Sequence, residues 1–278
     1  MPAYLVLSLG GAYALLSVMV LIERDVLPGR GVPGLIGSDM EEAASFVLVL
    51  TVLASALLVT YVEGGRSAVR QLVRRAFRWR VPARWWAIAA LSLPVVSFLL
   101  ALALGDSFTP PSAGTLVHEG MAMLFALAVI NLAEETGWAG FLQSRLERRN
   151  QLLLASALTA VPFALVHVPI RVVTREIAAP EDLVGNLIAL LVLCLVIRTL
   201  LGVVLRGALN SVLLVAVTHT SFNRSNNADG IVADLVDGDA RTFAALLASL
   251  AVTVVLLAAM RRRLSRFERL TLDQNEAA

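Results

Sequence analysis

The 278 residues are 58% hydrophobic and 16% charged with a formal net charge of +2, and the apolar residues gather in runs of about twenty, the length that spans a bilayer core. That composition excludes a water-soluble globular chain and a disordered one. A lone Cys194 excludes a disulfide framework and any cysteine-built metal site, and all 23 basic residues are Arg, so their placement along the chain says more than the net charge does.

Taken in chain order, the runs predict spans at about 4–22, 43–62, 85–104, 116–142, 151–168, 183–200, 207–223 and 242–260. The first lacks a basic leader region and is followed by further spans, so it reads as a membrane helix and not as a cleaved signal. After the second comes "RSAVRQLVRRAFRWRVPARWW", which spaces Arg and aromatics like a helix lying on lipid headgroups, with Trp85 and Trp86 at the interface. The last span runs into "RRRLSRFERL". Both basic segments read as anchors facing anionic lipid, not as nucleic-acid sites. With no internal repeat and no long linker, the expectation is one membrane domain over 1–278. It is an all-α, polytopic membrane helical bundle of about eight transmembrane helices, and function sits within the bundle or its short loops.

Assigning the connections alternately to two sides collects Arg66 to Arg84, Arg145 to Arg149, Arg198 to Arg206 and the tail from Arg261 on one side. That side takes 17 of the 23 Arg. The opposite loops, such as "NADGIVADLVDGD", are rich in acids. The Arg bias therefore predicts an integral, multi-pass protein of the cell membrane with both termini cytoplasmic.

Ionisable residues inside a span cost a few kcal/mol and mark functional sites by default. Glu134 and Glu135 interrupt the fourth span, His167 ends "ALTAVPFALVH" in the fifth, and His219 lies in "LLVAVTHTSFN" with Asn223 one turn on. Counting from the turn near Asn150, Glu134 and His167 are level on antiparallel helices, each about 25 Å from it, and His219 reaches a similar depth from Arg206, about 20 Å. Phe163 with His167, and His219 with Asn223, are i,i+4 pairs on single helix faces. Gly137 and Gly140 beside the acids permit a kink or close helix contact. His118 and Glu119, about 24 Å from Glu134 along the helix, read as an interfacial, solvated pair. Asn223-Arg224-Ser225 matches a glycosylation sequon only formally, since it lies at a membrane end.

One carboxylate and two imidazoles in a partly dry layer suit hydrolysis with water as nucleophile: Glu takes the proton, while His and an Asn amide stabilise the oxyanion. There is no Gly-x-Ser-x-Gly elbow, no evident Ser or Cys triad and no His-Glu-x-x-His helix. The set Glu134, His167 and His219 also matches zinc-ligand types with an open position.

"EETGWAGFL", "FALVH" and "HTSFN" resemble the three motifs of the CPBP group of intramembrane proteases, the CAAX proteases and bacteriocin-processing enzymes, which includes the Ras-converting CAAX protease. The family pattern is Glu-Glu-x-x-x-Arg, Phe-x-x-x-His and His-x-x-x-Asn on successive helices of an eight-helix fold. The resemblance covers mainly residues 85–223. It implies Glu134 as general base, Glu135 as supporting acid, His167 and His219 positioning water and substrate or stabilising the oxyanion, and Asn223 as an oxyanion donor. It also implies a metal-independent mechanism with no cofactor, acting on a membrane-associated or prenylated peptide or protein. The departure is Ala139, where the pattern has Arg; Glu135 then stays protonated or another Arg must reach it, and Arg145 is the nearest on the same helix. Two other readings stand beside proteolysis: a catalytically inactive binding or immunity-type membrane protein that kept the fold, and a proton-coupled transporter using the two acids as a relay.

Overall fold

The computed structural model describes residues 1–29 and 40–276, with side chains described as far as Arg261; the side chains of "RRLSRFERL" beyond it lie outside the described residues. The long helices are α1 (Pro2–Glu23), α2 (Met40–Ala76), α3 (Ala83–Ala103), α4 (Ala113–Leu146), α5 (Leu152–Val173) and α6 (Asp182–Gly207). They are followed by α7 (Val212–Asn226), a short α8 (Ile231–Leu235) and α9 (Arg241–Glu276). Two-residue strands β1 (Ser107–Phe108) and β2 (Val236–Asp237) pair antiparallel and clip the α3–α4 loop to the α8–α9 loop. The fold is the expected polytopic helical bundle.

Among the described residues seven helices are long and apolar enough to cross a membrane, α1 to α6 and α9 as far as Arg261. Each turns residues such as Leu50, Leu58, Leu91, Leu99, Leu195 and Val254 outward, the apolar girdle that lipid tails cover. The expected seventh span, at 207–223, forms differently. Leu209 and Asn210 take positive φ values of 57° and 58°, which ends α6. Ser211 then caps a new helix, accepting a hydrogen bond from the Leu214 N–H at 3.2 Å and donating to the Arg78 carbonyl at 2.6 Å. At 15 residues, α7 is about 22 Å long, short of the ~30 Å hydrocarbon core. Most of its surface is buried against α3, α4, α6 and α9, so it is a central strut with little lipid contact.

The apolar core divides into two. One part joins α1, α2, α4 and α5 around Leu16, Leu48, Trp138, Phe141 and Phe163; Tyr4 stacks its ring 4.7 Å from Phe141 and edge-on to Trp138. The other joins α3, α6, α7 and α9 around Leu93, Leu201, Val215 and Phe222. Helix α4 crosses between them, with Trp138 facing the first and Ala139 the second. On the Arg-rich side α2 kinks at Gly65, where φ is 64°, and the stretch beyond it exposes Arg66, Arg70 and Arg74 while burying Leu72 and Ala76. As far as Ala76 the stretch is amphipathic, as the sequence predicts, while residues 77–82 are not helical. Trp85 is a correction: it is 7% exposed and packs within the second core, because the start of α3 turns it inward and leaves Trp86 nearer the surface.

Candidate active site

The acids owe their position to the irregularity of α4. Only Leu132–Glu135 is α-helical there; Ala126–Asn131 before it and Thr136–Gln143 after it are π-helical. A π turn closes i→i+5 bonds and rotates the side chains that follow, and such segments concentrate at functional sites. Here the rotation keeps Asn131, Glu134 and Glu135 all buried. Gly137 lets α2 approach this stretch: a Cβ on it would come within 2.4 Å of Val52 Cγ1 and 3.2 Å of the Val52 carbonyl.

Glu134 meets both imidazoles. Its Oε1 lies 3.5 Å from His167 Nε2 and its Oε2 3.6 Å from His219 Nδ1. Oε1 has no hydrogen-bond partner among the described residues. His167 Nδ1 is 2.7 Å from the Phe163 carbonyl; a carbonyl only accepts, so Nδ1 carries hydrogen and Nε2 faces the carboxylate. In neutral His167 that nitrogen is bare, so a direct contact with Glu134 requires a proton on one of the two. His219 donates from Nδ1 to Glu135 Oε1 at 2.9 Å. Asn223 donates its amide to Asn131 Oδ1 at 3.3 Å, and Asn131 donates to Thr220 Oγ1 at 3.0 Å. Glu134, His167, His219 and Asn223 all line one cavity of about 260 Å³, whose apolar walls include Phe163, Cys194, Ile197 and Phe222.

Arg198 supplies the partner Glu135 lacks at Ala139. Its Nη1 sits 2.8 Å from both Glu135 oxygens, its Nη2 donates to Gln143 Oε1 at 2.6 Å, and it is fully buried. Gln143 in turn donates to the Arg198 carbonyl, to Ser156 and to Glu147. This contact depends on Gly202, where a Cβ would fall 2.2 Å from Gln143 Nε2. Two readings are corrected here. Arg198 is not part of the basic loop, because α6 continues to Gly207 and carries it inside. Arg145 does not reach Glu135; it pairs with Glu63 at 2.8 Å and lies over the Phe141 ring.

Glu119 is also corrected: it is 2% exposed and bound by Arg224 through two nitrogens. Arg224 also binds Asp229, so the outer end of α7 is tied to α4 within one turn of Asn223. Ser225 is buried and donates to the Ser221 carbonyl, which closes the formal sequon in the folded chain.

Three donors lie close enough together to share a zinc ion. Glu134, Glu135 and His219 place ligand atoms within 4.8 Å of one another. Both Glu135 oxygens already accept from Arg198, one of them also from His219 Nδ1, and the guanidinium puts a fixed positive charge beside the three. A dication held by these three meets an occupied carboxylate and a like charge, so this trio does not suit a metal centre.

Sequence reasoning missed Arg198, Gln143 and Asn131. An Arg in the run "LVLCLVIRTLLGVVL" is itself the signal of a buried partner for an intramembrane acid. Comparison with known proteins agrees with the motifs: residues 116–225 match the family model described as "Type II CAAX prenyl endopeptidase Rce1-like". That stretch begins in α4 and ends in α7, so it contains Glu134, His167, His219 and Asn223 of the cavity together with Glu135 and Arg198. No curated protein matches the chain.

Proposed function

We propose that this Rce1-like membrane segment is a peptidase that hydrolyses a peptide bond with Glu134 as general base. The observation that carries the reading is a buried carboxylate oxygen, Glu134 Oε1, without a protein hydrogen bond among the described residues and facing a cavity that holds two His and an Asn amide. The substrate class that the family match supports is a membrane-associated or prenylated peptide.

In the first step Glu134 removes a proton from water as the water oxygen bonds to the scissile carbonyl carbon. The carbonyl electrons move to oxygen, and the Asn223 amide N–H not given to Asn131 stabilises that negative charge, with the Nε2–H of a protonated imidazole beside it. Collapse of the adduct breaks the carbon–nitrogen bond, and Glu134 returns its proton to the leaving amine. Glu135 does not react. With Arg198 behind it, Glu135 fixes His219 by accepting its Nδ1–H, as carboxylates orient catalytic imidazoles elsewhere. Asn131 does the same for Asn223. No step uses a metal.

The Arg distribution supports both termini in the cytoplasm. The inactive binding reading draws on Ala139, but Arg198 restores the charge that substitution removed. The direct test is Glu134→Gln, assayed for cleavage of a panel of membrane peptides. Loss of about 10²–10⁴-fold is expected for a general base, and unchanged cleavage overturns the assignment.

A further inference from the structure

The cavity has a sidedness that fixes where its substrate comes from. Its rim is built from Glu41, Arg171, Glu176, Asn226 and Asn227. Glu41 is in the first turn of α2, Arg171 is in the last turn of α5, and Asn226 ends α7. All five therefore lie at the end of the bundle where the acid-rich loops are.

Depth along the helices agrees. His167 is about 9 Å from the Val173 end of α5 and about 22 Å from its Leu152 end. Asn223 stands three residues, about 4.5 Å, before the end of α7. Toward the Arg-rich end the site is closed by Arg198, Gln143, Ser156 and Trp138, none of them solvent-exposed. The rim itself is braced, since Arg171 binds Glu176 at 2.6 Å and Asn186 at 3.3 Å. Asn226 and Asn227 add amides of both polarities, the groups that pair with an extended peptide backbone.

We infer that the site takes its substrate from the acid-rich face, which the Arg bias makes the non-cytoplasmic one. The substrate class is then an extended peptide segment at the outer membrane surface, with an apolar side chain entering the cavity. A prenylated C-terminus presented from the cytosol would meet the closed, Arg-rich end instead. This inference rests on the hydrolytic reading of the same cavity.

Two measurements separate it from that reading. In full-length protein carrying Cys194→Ser, Asn227→Cys or Arg148→Cys is treated in intact cells with a membrane-impermeant maleimide. Asn227→Cys is expected to react at once and Arg148→Cys only after permeabilisation; the reverse pattern overturns the inference whatever the activity. The wild-type protein is then given a quenched-fluorescence panel of apolar peptides, in detergent and outside sealed liposomes of known orientation. Cleavage within about twofold of the detergent rate is expected only where the Asn227 face points outward. Cleavage confined to the opposite orientation overturns the inference. No cleavage even in detergent overturns the hydrolytic reading, while the labelling still reports the face on which the rim lies.

Discussion

Ala139 stands where the family pattern has Arg, and the guanidinium arrives instead from α6. Arg198 and Glu135 are both without solvent exposure, so each is the condition for burying the other. Arg198→Met strands a carboxylate in the core and is expected to cost about 3–5 kcal/mol, whereas Arg198→Met with Glu135→Met removes both charges and restores most of the loss. Thermal unfolding of the purified protein distinguishes these; equal melting of single and double variants contradicts the pairing. Activity should stay low in the double variant, because His219 has lost the acceptor that orients it. At this scale the sequence was informative about Glu134, His167, His219 and Asn223, which sit at motif spacing. It was silent about Arg198 because 63 residues separate it from Glu135, and its place near the end of a predicted span made it look like a loop charge. Glu119 misled for a similar reason: a charge at the predicted start of a helix suggests water, and only the fold reveals Arg224 beside it.

Helix α4 carries the acids because its winding changes around them, and its neighbours have been trimmed to fit. Gly202→Ala would drive a methyl group into Gln143 and Ser156, loosening the clamp on Arg198. Overpacking of this kind costs about 1–3 kcal/mol, and activity should fall with it while Gly185→Ala, at a site open to added volume, leaves both unchanged. Ser211→Ala removes the cap of α7 and is expected to cost about 1 kcal/mol, read as a lower melting temperature. Hydrophobic length located most helices, since a span needs only a run of apolar residues. The same signal could not show the π-helical turns, which have no distinct composition. It did separate α7 from α6, but it set the break early, before Arg206, and read α7 as a full span; the break itself comes from backbone geometry at Leu209 and Asn210.

Across the whole molecule, two apolar cores meet along α4 and leave a polar cavity at their seam, nearer the acid-rich end of the bundle. Charge asymmetry, legible from the positions of Arg alone, sets the expected orientation; counting along three helices already put the acids and imidazoles well away from the Arg-rich turns, and the fold adds which residues line the cavity at the acid-rich end. The proposed glutamate mechanism passes no step through a metal, so peptide cleavage is expected to keep its rate in 1,10-phenanthroline, and reversible loss that zinc restores would contradict the account. The most direct test is a single-turnover cleavage in H₂¹⁸O by the purified wild-type protein and its Glu134→Gln variant, with the new carboxyl terminus weighed by mass spectrometry. Glu134 acting as base on water predicts one ¹⁸O atom in the wild-type product and no product from the variant over the same time. Product from Glu134→Gln at the wild-type rate, or a first-turnover product without ¹⁸O, would contradict it.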